Sequence, residues 1–201
     1  REALDLARVL PERRVVFLAV GFETTAPGTG AVLEEAHREE RSNLLVLNLH
    51  KTVPPALEAL ATGGPALDGF LLPGHVCSVL GLEPFAFLPR DHGAACCVGG
   101  FEGEDLLLAL VELARRVREG RPRVACAYPR GVRPQGNPRA REQMNRVFEP
   151  CDALWRGLGL LPRSGLALRD PFRRFDAREI LHLSAAPAPA SERCRCGEVL
   201  T

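Results

Sequence analysis

Residues 15–28, Val-Val-Phe-Leu-Ala-Val-Gly-Phe-Glu-Thr-Thr-Ala-Pro-Gly, decide the fold class of this chain. The first six form a continuous apolar run between Arg14 and Gly21, which is typical of a parallel strand buried on both faces. A polar turn follows, and a helix is expected from about Thr29 to Glu40. A strand, a short turn and a helix in direct succession indicate an α/β fold.

The same alternation of strand and helix continues along the chain. Short apolar runs that predict strands are separated by segments with helical spacing of apolar residues. The predicted strands are 15–20, 44–49, 69–72, 94–98 and 123–128, and the predicted helices are 2–10, 29–40, 54–61, 76–80 and 104–118. This order, with short connections, predicts a doubly wound parallel sheet flanked by helices.

The remaining residues predict the domain organisation. A loop over 129–137 precedes helical spacing at 139–147, short extended pieces at 155–161 and 164–168, and a last helix at 176–183. The segment Ser-Ala-Ala-Pro-Ala-Pro-Ala-Ser that follows has the composition of a linker. We therefore expect an α/β domain over 1–183, a linker over 184–193, and the start of a truncated cysteine-rich segment over 194–201.

Four polar, glycine-rich or proline-rich loops follow the predicted strands. Ligands of doubly wound sheets bind outside the carboxyl ends of the strands, so these loops together predict a ligand site. The loops are 21–27, 50–52, 73–75 and 99–102, and their candidate side chains are Glu23, Thr24, Thr25, His50, Lys51, His75 and Glu102.

The turn after the first strand has neither the three-glycine spacing of a dinucleotide fingerprint nor the Gly-Lys-Ser/Thr of a phosphate-binding loop. Its backbone N–H groups and threonine hydroxyls would suit an anion or a polarised ligand. Helix capping by Thr25 or Thr29 is the alternative. Glu102, in the last of the four loops, could likewise cap the helix that follows it.

The histidines and the lysine among these candidates also have two interpretations. His50 and His75 could carry protons or bind a ligand, or they could be hydrogen-bonded structural residues. Lys51 is the only lysine among 26 basic residues. Its retention suggests a position where a compact ammonium group is needed and a guanidinium would not fit, although chance would also explain it.

Seven cysteines are present, and an odd number does not suit a disulfide framework. Those inside or beside apolar strands are interpreted as buried structural thiols, and these are Cys77, Cys96, Cys97 and Cys126. A redox pair of Cys96 and Cys97 is the alternative. Cys151 is a possible exposed thiol without a visible base. Cys194-Arg-Cys196 could contribute to a zinc or iron–sulfur site, which would need further ligands from elsewhere.

The overall composition excludes several classes of function. The formal net charge is +1 and no basic stripe occurs, so no nucleic-acid partner is expected. No apolar run approaches the length of a membrane span, and no signal peptide is visible. Since the chain opens with Arg1 rather than methionine, we interpret it as a fragment of a soluble, cytoplasmic protein.

Several of these segments, in this order, resemble the HypD family of hydrogenase maturation proteins. The resemblance spans nearly the whole chain. The matching segments are Gly21-Phe-Glu-Thr-Thr-Ala-Pro27, Val53-Pro-Pro-Ala56, Pro73-Gly-His-Val76, Gly100-Phe-Glu102, Met144–Glu149, Trp155-Arg-Gly-Leu-Gly159, Pro162–Arg169, Phe175-Asp-Ala177 and Cys194-Arg-Cys-Gly-Glu-Val199.

The resemblance implies a scaffold for assembly of the Fe(CN)2CO centre of [NiFe]-hydrogenases. Such a protein has two similar α/β domains and a [4Fe-4S] domain, and this chain would supply the second α/β domain and the start of the cluster domain. A small HypC-like chaperone and a HypE-like cyanide donor would be its partners. Glu23, Thr24, Thr25, His75 and Glu102 would face the ligand cleft, and Cys194, Cys196 or both would belong to the cluster region. A thiol-dependent enzyme acting on a small molecule at the strand ends is the alternative.

Overall fold

A computed structural model describes residues 1–63 and 66–184. The helices are α1 (Glu2–Val9), α2 (Ala26–Arg38), α3 (Val53–Gly63), α4 (Gly74–Leu80), α5 (Phe87–Asp91), α6 (Gly103–Glu119), α7 (Pro138–Val147) and α8 (Ala177–Ile180). The strands are β1 (Val15–Gly21), β2 (Leu44–His50), β3 (Gly69–Pro73), β4 (Ala95–Gly99), β5 (Val124–Cys126), β6 (Phe148–Trp155) and β7 (Gly159–Leu168).

The described residues form two compact units. Unit 1 holds residues 1–52 and 142–184, and unit 2 holds residues 53–63 and 66–141. The prediction of an α/β fold with parallel sheets flanked by helices is confirmed. The five predicted parallel strands, however, lie in two sheets rather than one, because β1 and β2 form one sheet and β3, β4 and β5 form another. The predicted extents of the α/β domain (1–183), the linker (184–193) and the cysteine-rich segment (194–201) stay predictions.

Unit 1 combines a parallel strand pair with an antiparallel hairpin. β1 pairs with β2 from Val15 opposite Leu44 to Gly21 opposite His50. β6 pairs with β7 in antiparallel orientation, with an irregularity between Cys151 and Ala153. The amide of Asn48 in β2 donates to the carbonyl of Leu166 in β7 at 2.7 Å, which holds the hairpin against β2.

The hairpin is longer than the sequence predicts. Only two short extended pieces were expected, whereas β6 begins already at Phe148 and β7 runs for ten residues. Pro150 and Asp152 interrupt the apolar alternation of β6, and both residues lower strand propensity. Pairing with β7 overrides that local preference.

Unit 2 is a three-stranded parallel sheet in the order β3-β4-β5. All five residues of β4 are buried, as expected of the central strand of a covered parallel sheet. α6 packs on β3 and β4, and a model Cβ placed on Gly99 would lie 2.9 Å from the Cβ of Ala109 in that helix. The unit therefore has its own apolar core, which includes Phe70, Leu72, Phe85 and Val98.

Among the described residues, none of the helices combines the length and apolarity that a bilayer span requires.

Candidate functional site

The turn after β1 is shaped by a glycine and a threonine. Gly21 has φ of +146°, and a Cβ there would lie 2.2 Å from the hydroxyl oxygen of Thr25. Only glycine allows this approach. The Thr25 hydroxyl donates to the carbonyl of Phe22 at 3.1 Å, and it makes no capping bond to α2.

The capping interpretation of Thr25 and Thr29 is therefore wrong. Thr29 donates from its hydroxyl to the carbonyl of Thr25 at 3.4 Å, so it satisfies no helix N–H group either. Thr24 and Thr25 are exposed, whereas Glu23 is 1% exposed. The turn thus places two exposed threonines at the start of α2, where the helix dipole favours an anionic or polarised group.

Lys51 lies directly beside this turn. Its backbone N–H donates to the carbonyl of Gly21 at 3.0 Å, and its ammonium group donates to the carbonyl of Leu154 at 2.5 Å. The ammonium group also lies over the Trp155 ring, 4.9 Å from its centroid. Burial lowers the pKa of Lys51 from its ordinary value. The backbone of Lys51 therefore contacts the threonine turn, while its partly desolvated ammonium group lies against the hairpin at Leu154 and Trp155.

Trp155 fixes the position of this lysine and was not among the predicted site residues. Its indole N–H donates to the hydroxyl of Ser164 at 2.8 Å, and that hydroxyl donates to the carbonyl of Leu161 at 2.9 Å. Ser164 is fully buried, and its carbonyl accepts from the N–H of Thr52 at 2.9 Å. The Trp155 ring also packs against Phe22, with 6.0 Å between the centroids. The signal for Trp155 in the sequence was that it is the only tryptophan.

His50 lies in the interior of unit 1. It is buried, its Nδ1 lies 2.7 Å from the side-chain oxygen of Asn48, and its ring packs edge-on against Phe148. Burial lowers the pKa of His50 to about 4, so the imidazole is neutral at pH 7. These contacts are those of a structural histidine, and the predicted role of His50 toward a ligand stays a prediction.

In unit 2, His75 follows β3 and is exposed in the first turn of α4. Its ring lies against Phe101, with 4.3 Å between the centroids. A Cβ on Gly74 would lie 2.4 Å from the carbonyl oxygen of Gly99, so only glycine permits this approach between the ends of β3 and β4. The glycine thereby brings the histidine and the phenylalanine together.

Glu102 takes part in an ion-pair cluster rather than in capping. Although it occupies the N-cap position of α6, its side chain makes no capping bond, so the capping prediction is wrong. Its carboxylate accepts from Arg130 at 2.9 Å, and Arg130 also binds the buried Asp105 carboxylate at 2.5 and 2.8 Å. The guanidinium lies 4.9 Å from the centroid of Tyr128. Arg130 was not predicted, because nothing in its loop separates it from the chain's other arginines.

The predicted site residues therefore fall into two groups. Unit 1 holds Glu23, Thr24, Thr25, His50 and Lys51, and unit 2 holds His75 and Glu102. Within unit 1, the threonine turn and Lys51 are joined by the hydrogen bond to Gly21.

Burial disfavours the thiolate form of three cysteines among the described residues. Burial raises the pKa of Cys96 to about 12 and of Cys97 to about 11, and it also raises the pKa of Cys151. The prediction that Cys96, Cys97 and Cys77 are buried is confirmed, while Cys126 is only partly buried. Across residues 1–63 and 66–184, no cluster of three or more His, Cys, Asp or Glu side chains could hold a metal ion. Cys194 and Cys196 lie outside the described residues.

Comparison with known families agrees with the motif order. The family model HypD, described as the hydrogenase formation hypA family, matches residues 1–201. The chain belongs to the HypD family. The resemblance seen in the Gly21–Pro27 turn and the later motifs is thereby confirmed.

Named members of the HypD family are similar along the whole chain. The hydrogenase maturation factor HypD of Azotobacter vinelandii is 42% identical, over 99% of this chain and 54% of its own length. The protein of the same name from Cupriavidus necator is 38% identical, over 99% of this chain and 55% of its own. The hydrogenase expression/formation protein HupD of Azotobacter chroococcum is 40% identical, over 99% of this chain and 54% of its own length. The chain thus spans about half the length of these relatives.

Proposed function

We propose that this chain is part of a [NiFe]-hydrogenase maturation scaffold that holds iron while its cyanide and carbonyl ligands are added. The iron is cargo, and a HypC-like small chaperone shares it, while a HypE-like protein donates cyanide. Membership of the HypD family supports the link to hydrogenase maturation. The observation that carries the proposal is the pairing of the exposed Thr24–Thr25 turn with Lys51 through the carbonyl of Gly21.

The chemistry of bound cyanide fits this pair of elements. A metal-bound cyanide nitrogen is an anionic hydrogen-bond acceptor, and charge-assisted hydrogen bonds to it are strong. The Lys51 ammonium has three donors, and one bond to Leu154 leaves two for a ligand. The Thr25 hydroxyl can rotate from the Phe22 carbonyl toward a stronger acceptor. Partial desolvation of Lys51 strengthens its interaction with an anion.

The resident [4Fe-4S] cluster of the proposal depends on residues outside the described ranges. Cys194 and Cys196 are the expected contributors from this chain, and two thiolates are too few for a four-cysteine cluster. The thiols of Cys96 and Cys97 do not fit such a cluster, because burial disfavours the thiolates that iron requires.

The same thiol chemistry weighs against the alternative, a thiol-dependent enzyme. A nucleophilic cysteine needs a lowered pKa and access to a small molecule. Cys96 and Cys97 are buried with strongly raised pKa values, and Cys151 is shifted in the same direction. The described residues therefore support cyanide binding better than catalysis by a cysteine thiolate.

The test compares Thr25→Val with Thr25→Ser in the full-length protein. Valine keeps the shape of threonine but lacks the hydroxyl, whereas serine keeps the hydroxyl. We expect the valine variant to mature hydrogenase about tenfold less or worse, as loss of one hydrogen bond to a charged group predicts, and the serine variant to stay near wild type. Far-UV circular dichroism checks that both fold. Wild-type maturation by a folded Thr25→Val protein would contradict the role of this hydroxyl.

A further inference from the structure

β1 has a paired edge and a free edge. Its paired edge meets β2 along seven residues, and within the described part of the chain no strand pairs with the other edge. Val16, Leu18 and Val20 are 41%, 61% and 66% exposed. The sequence predicts that β1 is buried on both faces. That prediction is wrong for the described residues, because these three side chains are exposed.

The composition of β1 is not that of an edge strand. Natural edge strands are protected by charged residues, proline or bulges, which discourage further pairing. The run Val15–Val20 has none of these and consists of apolar residues only. Such a run is typical of an interior strand of a parallel sheet.

A groove of about 860 Å³ extends along this free edge. It is lined by α1, β1 and α2, all within unit 1, and its apolar lining includes Leu6, Leu18, Val20 and Val32. Leu6 of α1 is 52% exposed in the groove. Helices therefore already flank the position where another strand would lie, as in a sheet with helices packed on it.

We propose that the groove receives a further strand, parallel to β1, from the part of the full-length protein that lies outside these 201 residues. The relatives are long enough to supply it, because this chain matches only 54–56% of their length. A two-stranded pair with an apolar face is marginal alone, and a third strand would bury the exposed valines and leucines.

A second copy of the chain fits the groove less well. A two-fold axis across the free edge would pair β1 with itself in antiparallel orientation. The sheet of β1 and β2 is parallel, and a strand parallel to β1 would continue it in the same direction. A parallel strand from elsewhere in the same polypeptide satisfies both the sheet direction and the apolar groove.

The backbone identifies the groups that the added strand would bind. The N–H of Val15 donates to Asn43 at 2.8 Å, and the carbonyl of Gly21 accepts from Lys51 at 3.0 Å. Successive residues of a strand direct their backbone N–H and C=O groups to alternate sides. The backbone groups of Phe17 and Ala19 therefore also point toward β2. The N–H groups of residues 16, 18 and 20 therefore point to the free edge.

Amide hydrogen exchange in the full-length protein tests this. With residue-resolved NMR, we expect Val16, Leu18 and Val20 to be protected to within about tenfold of Phe17 and Ala19, which serve as internal controls in the same strand. Fast exchange of the first three amides beside slow exchange of the controls would overturn the proposal. So would protection that appears only at concentrations where light scattering detects a dimer, since this would identify a second copy as the occupant.

Discussion

The ammonium group of Lys51 lies 4.9 Å from the centroid of the Trp155 indole ring. Lys51 follows β2 and Trp155 ends β6, so the contact joins the parallel strand pair to the antiparallel hairpin. The bond from the indole N–H to buried Ser164 holds the ring in place. The hairpin of unit 1 therefore orients the cation that we propose for cyanide binding.

Replacing Trp155 should measure this coupling. Trp155→Leu removes the ring beneath the ammonium and the N–H that serves Ser164, and we expect a loss of about 2 kcal/mol in the free energy of unfolding. Trp155→Phe keeps an aromatic ring but loses the N–H and the five-membered part of the indole, so a smaller loss of about 1 kcal/mol is expected. Urea unfolding followed by circular dichroism gives both values. Equal losses for the two variants would show that the ring does not stabilise Lys51.

His50 should make unit 1 sensitive to mild acid. Its folded pKa of about 4 lies below its ordinary 6.5, so between these values the unfolded chain binds a proton that the folded chain does not. The free energy of unfolding is therefore unaffected by His50 well above pH 6.5, and it decreases as the pH falls from 6.5 toward 4. We expect unfolding at pH 5 to require about 2 kcal/mol less than at pH 7.5 on account of this residue.

The check on His50 uses Trp155 fluorescence, because the only tryptophan lies in unit 1. Urea unfolding is compared at the two pH values for wild type, His50→Gln and His75→Gln. The first variant should lose most of the acid sensitivity, and the second, at an exposed histidine, should keep it. Unchanged acid sensitivity in His50→Gln would refute the assignment.

The contrast between the predicted and observed fold has a physical basis. β1, β2 and β4 were found because continuous apolar residues are a local signal. Division of the strands between two sheets depends on long-range pairing, for which no local signal exists. Most of β6 was not predicted, because Pro150 and Asp152 lower the strand propensity of this segment. The strand forms by pairing with β7, for which the local sequence has no signal.

The candidate site was predictable in its loops but not in its contacts. Strand ends and unusual residues pointed to the turn after Gly21 and to Lys51, which the structure joins by a hydrogen bond. Trp155 and Arg130 were missed, because their roles come from distant partners. The Arg130–Asp105 pair joins residues 25 positions apart along the chain.

Arg130 should stabilise unit 2 chiefly by neutralising Asp105, whose side chain is 3% exposed. In Arg130→Met the buried carboxylate loses its cation, and we expect a lower free energy of unfolding, by less than for a wholly buried pair because the arginine side chain is exposed. Adding Asp105→Asn should recover part of the loss. Arg121→Met, at an exposed arginine of the same unit, is the control. An effect of Arg130→Met no larger than that of the control would contradict this role.

The thiols of β4 should resist alkylation in the folded protein. With a pKa of about 12, Cys96 is ionised to about one part in ten thousand at pH 8, and its burial blocks access as well. Peptide mass spectrometry after iodoacetamide treatment should show Cys96 and Cys97 modified only after unfolding in urea. Labelling of either residue in the folded protein as fast as that of partly buried Cys151 would favour the thiol-dependent enzyme.

We propose above that the protein holds iron with its diatomic ligands. The most direct test is to purify the full-length protein anaerobically, alone and with its small HypC-like partner, and to measure iron content and the infrared spectrum. We predict cyanide and carbonyl stretching bands in the complex, together with about four irons of a [4Fe-4S] cluster. A colourless, iron-free protein without these bands would contradict the scaffold proposal.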